Sequence, residues 1–419
     1  MWRDLKHSLM LASSVGARIA IMLAVFKYLS ISFGVEGFGL LSQVMAIGSL
    51  FATFAGGGPP TGLVREVALA SGTEEKARWL KAGFAIAGAS AVLMIAIALV
   101  MFQFFGGLLL GSEDYSWIFL VIAAAQIPLA FGSASLGFLS GSNMPSAYAI
   151  ATMAGSVAAA CLVFFLAHAF GLPGGMAACA LFALGPAMVG MFLMSAMKAN
   201  NLTDAIHMQL QWTKMRRLIS YSGALLVAGA AVPLALLHMR ATLAGSAGWQ
   251  AVGEWQSVAR IGDAYMQAFG AIFINLMLPR MSSHLGMAAQ LRVLGRFSLM
   301  SICLFVVGAA IFWFFAEEIL SIVYSADFSR ALPYVLPQLL ADLLKIVMSL
   351  FMYFFVARGQ LLIQAAGEIV QAGMMVVAFH FLFQSLGGVA AAWAYAAGTL
   401  SVLLLLVAGM PFALTRAAW

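Results

Sequence analysis

Twelve apolar runs, broken only by Gly, Pro or short charged stretches, take up 298 of the 419 residues, and no connection between them exceeds about twenty residues. They cover residues 8–33, 38–59, 79–104, 117–140, 146–170 and 174–197, then 218–239, 249–279, 291–315, 332–357, 361–383 and 389–412. About 20 apolar residues in helix cross the ~30 Å hydrocarbon of a bilayer. Inside that layer every backbone polar group must be satisfied internally, so only helices or closed barrels can span it. Barrel strands would alternate in segments of about ten residues, and no such segments occur. Only 9% of the residues are charged, where soluble domains carry about 25%. The expected fold is an all-α polytopic membrane protein of twelve transmembrane helices. Its short connections leave no room for a soluble nucleotide-binding or glycosyltransferase domain.

Charge placement orients the chain. Fifteen Lys and Arg residues fall on one set of ends and loops, from Arg3 to Arg416, and only Arg240 and Arg330 on the other. Cytoplasmic loops carry the excess of cations, so both termini are expected in the cytoplasm. The net charge of +6 reflects this bias and does not indicate nucleic acid. The amino terminus superficially resembles a signal peptide, but Arg18 interrupts its apolar core and no small-residue cleavage site follows. It reads as a retained first helix. Cys161, Cys179 and Cys303 lie in apolar runs without metal spacing, as small packing residues do.

Six runs, a polar connection and six more runs suggest an amino-terminal lobe at 1–199, a cytoplasmic linker at 200–217 and a carboxyl-terminal lobe at 218–419. A shift of 214 residues superimposes Gly34 on Gly248, Gly39 on Gly253, Ile47 on Ile261, Gly48 on Gly262 and Gly56 on Gly270. Two parallel repeats would produce that pattern. The sequence Gly56-Gly57-Gly58-Pro59-Pro60 must end or bend the second run.

The stretch 253–280 is where the polar residues concentrate. At ~100° per residue, Gln256, Arg260, Asp263 and Gln267 share one stripe. Seven charges lie within runs: Arg18, Lys27, Arg260, Asp263, Asp342, Lys345 and Glu368. At ~3 kcal/mol each, exposing all of them to lipid would cost on the order of 20 kcal/mol, so they should face protein or water. The third to sixth runs hold none. The tenth run repeats the stripe with Gln338, Asp342, Lys345 and Ser349, and the eleventh with Gln364, Glu368 and Gln371. Three such stripes point to one hydrated pocket. In-helix pairing of Arg260 with Asp263 and of Asp342 with Lys345 is the structural alternative. Glu368 has no cation on its own helix and stands as a titrating or cation-binding carboxylate. Arg18 sits ~15 Å into its helix, near the midplane, while Lys27 is near enough to the outer end to snorkel. His168, His238 and His380 are isolated in sequence. No phosphate loop, metal cluster or nucleophile–base set is present, so no cofactor and no covalent chemistry are expected.

The segments SFGVEGFGLLSQ and GEWQSVARIGDAYMQ, followed by LPRMS, resemble those of Wzx-type flippases for lipid-linked oligosaccharides of the O-antigen and enterobacterial common antigen class. The resemblance runs the whole length, with Asp342-x-x-Lys345 and Ala366-Gly367-Glu368 also similar. Arg260 departs from the small polar residue of the family pattern. The family belongs to the multidrug/oligosaccharidyl-lipid/polysaccharide superfamily. The resemblance implies two six-helix lobes around a central cavity, and a substrate of undecaprenyl diphosphate bearing a short glycan. That substrate would move from the inner to the outer leaflet of the bacterial inner membrane, by alternating access. Arg18 and Arg260 would hold the diphosphate by charge-assisted hydrogen bonds, with Lys27 and Asp263 in the same substrate set. Gln43, Gln256, Tyr265 and Gln267 would meet the glycan, and the prenyl tail would stay in membrane lipid. Asp342, Lys345 and Glu368 would couple transport to an ion. A polysaccharide polymerase and a chain-length regulator are the protein partners the resemblance suggests. A cation-coupled multidrug exporter of the same superfamily is the main alternative, although the amino-terminal lobe lacks the intramembrane carboxylate such a pump would favour. A membrane polymerase or ligase would need large external loops, which are absent.

Overall fold

A computed structural model describes residues 2–56, 61–196, 209–282, 286–358 and 360–415. The sequence Gly57-Gly58-Pro59-Pro60, the connection up to residue 208 and Arg416 lie outside them. Among the described residues every regular element is helical. The long helices are α1 (Trp2–Ala55), α3 (Thr73–Leu110), α4 (Trp117–Gly141), α5 (Pro145–Ala180), α7 (Trp212–Ile272), α9 (Met287–Phe314), α11 (Leu332–Ala357), α12 (Leu361–Leu386) and α13 (Ala390–Thr415). Shorter pieces are α2 (Thr61–Leu69), α6 (Leu184–Ala196), α8 (Leu278–Ser282) and α10 (Ala316–Val323). A π turn, Phe273–Met277, joins α7 to α8.

Among the described residues the twelve apolar runs fall almost wholly on helix, but several share one. Runs one and two form α1, which kinks at Gly34 (φ 65°). Runs seven and eight form α7, which kinks at Gly248 (φ 79°). Among the described residues seven stretches are long and apolar enough to cross a membrane, including Val15–Ala55 with 41 residues and Ile363–Met410 with 48. At 1.5 Å per residue a 41-residue helix measures ~60 Å, twice the hydrocarbon thickness. A stretch of that length either crosses twice or leaves the membrane at its kink.

The chain forms two compact units: residues 1–25 with 41–230, and residues 26–40 with 231–419. The first is packed by small residues. Ala77, Ala82, Ala87 and Ala91 of α3 meet Ala125, Leu129, Ala130 and Ala134 of α4, with Ala187 and Met194 of α6 behind them. A Cβ at Gly155 of α5 would collide with the backbone of Pro186 in α6. Helices in lipid gain little hydrophobic drive from associating, so close backbone approach through small residues is what holds them. The buried polar groups of α4 and α5 stay on their own helices. Gln126 Nε2 donates to the Ile122 carbonyl at 2.9 Å, Ser135 Oγ to Phe131 at 2.7 Å and Ser156 Oγ to Thr152 at 2.7 Å. The start of α7 is tied to this unit by Arg217 Nε, 3.0 Å from the buried Glu66 carboxylate. Lys214 Nζ also lies 4.0 Å from the centre of the Trp79 ring.

The second unit opens on an aromatic cluster. Phe38 packs edge-on against Phe26, Tyr324 and Phe328 at 5.1–5.7 Å. The Tyr324 hydroxyl donates to the Ser257 carbonyl at 2.8 Å. Beside it, α1 and α7 touch backbone to backbone past their kinks. A Cβ at Gly39 would stand 2.7 Å from the Gly253 nitrogen, and one at Gly253 would collide with the Val35 carbonyl. Of the positions that a 214-residue shift superimposes, Gly34 and Gly248 therefore bend alike, and Gly39 and Gly253 meet.

Candidate functional site

Asp342 of α11, 2% exposed, is the most enclosed charge in the second unit. It accepts a hydrogen bond from the Tyr265 hydroxyl of α7, and Gln338 Nε2 donates to its other oxygen at 3.1 Å. Room for the carboxylate comes from Gly262, where a Cβ would stand 2.6 Å from Asp342 Oδ2. Glycine is the only residue that admits such an approach without displacing the acid. Lys345, one turn along α11, points to α13 instead, its Nζ 5.4 Å from the centre of the Tyr395 ring. The spacing that allows Asp342 and Lys345 to neutralise each other thus serves two different neighbours.

Arg260 and Asp263 do pair within α7, at 3.6 Å. The Arg260 guanidinium also lies 5.6 Å from the Phe26 ring centre. Asp263 keeps about half its side chain exposed. Gln267 is exposed and donates to the Asp263 carbonyl at 3.4 Å, while Gln256 is buried. The stripe on α7 therefore runs from the packed interior outward. Lys27 Nζ donates to the Ser321 carbonyl at 3.1 Å. That carbonyl is in the last turn of α10, where a cation meets the negative end of the helix dipole. Gln43 is wholly buried and its Nε2 donates to the Leu109 carbonyl at 3.1 Å, tying α1 to α3 inside the first unit. Arg18 is exposed on α1 and belongs to the first unit, whereas Arg260 belongs to the second.

Two of the cavities among the described residues lie within the second unit. A polar one of about 380 Å³ is lined by Lys345, Ser349 and Tyr353 of α11 and by Gln364, Glu368 and Gln371 of α12. The stripes of the tenth and eleventh runs do share a pocket. The stripe on α7 does not line it; Tyr265 reaches Asp342, which the Gln338 amide helps to close off. Gln364 Nε2 donates to Glu368 at 3.4 Å, and Gln371 Nε2 to Thr399 Oγ1 of α13 at 3.1 Å. The other cavity, about 350 Å³, is apolar and lies between α7 and α9, with Tyr265, Phe269, Phe305, Phe312 and Leu339 in its wall.

Tyr395 and Thr399 escaped the sequence reading. Their signal was a polar i, i+4 pair in an otherwise apolar run beside Gly398. His238 and His380, isolated in sequence, stack with ring centres 5.5 Å apart.

Residues 5–285 match the family described as polysaccharide biosynthesis protein. The chain belongs to that family. Its curated relatives include the Lipid III flippases of Escherichia coli (strain K12) and Shigella flexneri, each 26% identical over 400 residues that cover 94% of both chains. Among solved structures, an inward-facing multidrug resistance transporter of the MATE family superposes with a TM-score of 0.76 at 13% identity, over 99% of each chain. The inward closed form of Lipid II flippase MurJ superposes with a TM-score of 0.71 at 11% identity, over 97% of this chain and 87% of that one. The chain thus shares its all-helical fold with those transporters.

Proposed function

We propose that the chain is a flippase of the bacterial inner membrane for lipid-linked oligosaccharides. It moves an undecaprenyl-diphosphate-linked glycan from the cytoplasmic to the periplasmic leaflet for surface polysaccharide assembly. The observation that carries this reading is likeness to the Lipid III flippases along 94% of the chain, rather than in one segment. Twelve crossings in two lobes, 1–199 and 218–419, joined by the 200–217 linker, alternate access between the two leaflets. Arg18 and Arg260 hold the diphosphate, each guanidinium offering a planar fork of donors to its oxygens. The Asp342 carboxylate, with Lys345 one turn away, couples that movement to a proton or another cation, since a buried acid with a movable partner can exchange one. The tail remains in hydrocarbon.

Reconstituting the full chain in vesicles with undecaprenyl diphosphate bearing a labelled sugar tests the proposal. The label is expected to cross at a rate at least tenfold above protein-free vesicles, and Arg18→Ala or Arg260→Ala should each remove most of that gain. Efflux of cationic drugs with no lipid movement would replace the reading with a cation-coupled multidrug exporter.

A further inference from the structure

The polar cavity of the second unit contains one carboxylate, Glu368, and one ammonium, Lys345, with the remaining polar groups neutral. The lining therefore carries no excess of either charge. Among the described residues no group of three or more His, Cys, Asp or Glu side chains could hold a metal ion. What remains is a ligand that is neutral and rich in both donors and acceptors. The Gln364 and Gln371 amides, the Glu368 carboxylate and the hydroxyls of Ser349 and Tyr353 meet that description. They are also held in place. Gln364 Nε2 donates to Glu368, and Gln371 Nε2 is engaged by Thr399 Oγ1, which itself donates to the Tyr395 carbonyl at 2.8 Å. Between the polar groups lie the apolar side chains of Met348, Met352 and Val356, against which the C–H face of a ring can rest.

A volume of about 380 Å³ is at the small end of ligand sites, which span roughly 300–1,000 Å³. It suits one ring rather than a chain of them. Lys345 to Val356 lie toward the carboxyl end of α11 and Gln364 to Gln371 toward the amino end of α12. Charge bias assigns the end of α11, with Arg358, to the cytoplasm, the side from which a lipid-linked glycan enters.

We propose that this cavity is a sugar-binding subsite that takes one uncharged hexose or N-acetylhexosamine ring of the glycan. The inference rests on the flippase reading above and adds to it a place of recognition. It assigns Glu368 to recognition and leaves ion coupling to Asp342.

The test uses the full chain in lipid nanodiscs. Binding is measured for undecaprenyl diphosphate alone and for the same lipid carrying one glucose, galactose or N-acetylglucosamine. At least one sugar is expected to tighten binding about tenfold. Glu368→Gln preserves the side-chain shape, and Ser349→Leu fills the cavity with apolar volume. Each should cut the sugar gain below threefold while leaving the affinity for the sugar-free lipid unchanged. Should Ser349→Leu fail to fold, the isosteric Glu368→Gln decides alone. A gain that survives in the variants, or no gain for any of the three sugars, overturns the subsite while lipid binding stands. Failure of the protein to bind any of these lipids would instead remove the flippase reading, and the subsite with it.

Discussion

Helices α4 and α5 of the first unit and helices α7, α11, α12 and α13 of the second handle buried polar atoms in opposite ways. In α4 and α5, Gln126, Ser135 and Ser156 turn back onto carbonyls one turn earlier. No neighbour is needed to satisfy them, so the helices can close on one another through Ala and Gly. In the second unit the bonds cross between helices: Tyr265 to Asp342, Tyr324 to the Ser257 carbonyl, Gln371 to Thr399. A bond inside one helix survives when that helix moves as a body. A bond between helices fixes their relative placement and must be remade when they shift. Helices α4 and α5 can thus shift without remaking polar contacts, while the second unit holds contacts between helices through which a ligand or an ion can act.

The sharpest way to break this contrast is to crowd the first unit. Gly155→Val drives a side chain into the Pro186 backbone, and overpacking of this kind costs about 1–3 kcal/mol or more. Because backbone cannot yield as a side chain can, the expected result is loss of folded protein, read as purification yield and a melting curve. Next comes Asp342→Asn, which keeps the shape of the network and removes its charge. Melting should change little, while flipping in vesicles falls at least tenfold and its dependence on pH or sodium flattens. Full transport with the wild-type pH response would move coupling to Asp263 or Glu368. A smaller effect is expected from Tyr265→Phe, which deletes one donor to a buried carboxylate. Leaving such a group short of a partner costs about 1–3 kcal/mol, measurable by denaturation of the purified protein. The smallest belongs to Gln126→Leu. Its Oε1 is buried without a partner in the fold and its Nε2 bonds only within its helix, so the change should be neutral or stabilising within ~1 kcal/mol. A large loss there would show that α4 also depends on its polar atoms.

The sequence exposed whatever is local to one helix. Apolar runs marked the helices, and i, i+3 and i, i+4 spacing marked the stripes on α7, α11 and α12, including the Arg260–Asp263 pair. Contacts that depend on the fold were hidden. Tyr265 and Asp342 are 77 residues apart, and no spacing rule links them. Gln43 reads as a glycan contact because amides suit sugars, yet it packs against Leu109; a glutamine between apolar neighbours serves either use. The break between the first two runs was visible as Gly34, but not that helix resumes directly on its far side. Glycine at positive φ turns the axis there without a loop.

The ring of Tyr265 forms part of the wall of the apolar cavity and packs on Phe305 at 5.8 Å, while its hydroxyl completes the shell of Asp342. One side chain therefore has hydrocarbon on one flank and a carboxylate at its tip. An acyl chain packed into that cavity would press on the ring, and the ring would pass the push to the acid as a change in one hydrogen bond. Vesicles of thicker or more ordered lipid should shift the pH response of transport in the wild type, and leave it unmoved in Tyr265→Phe.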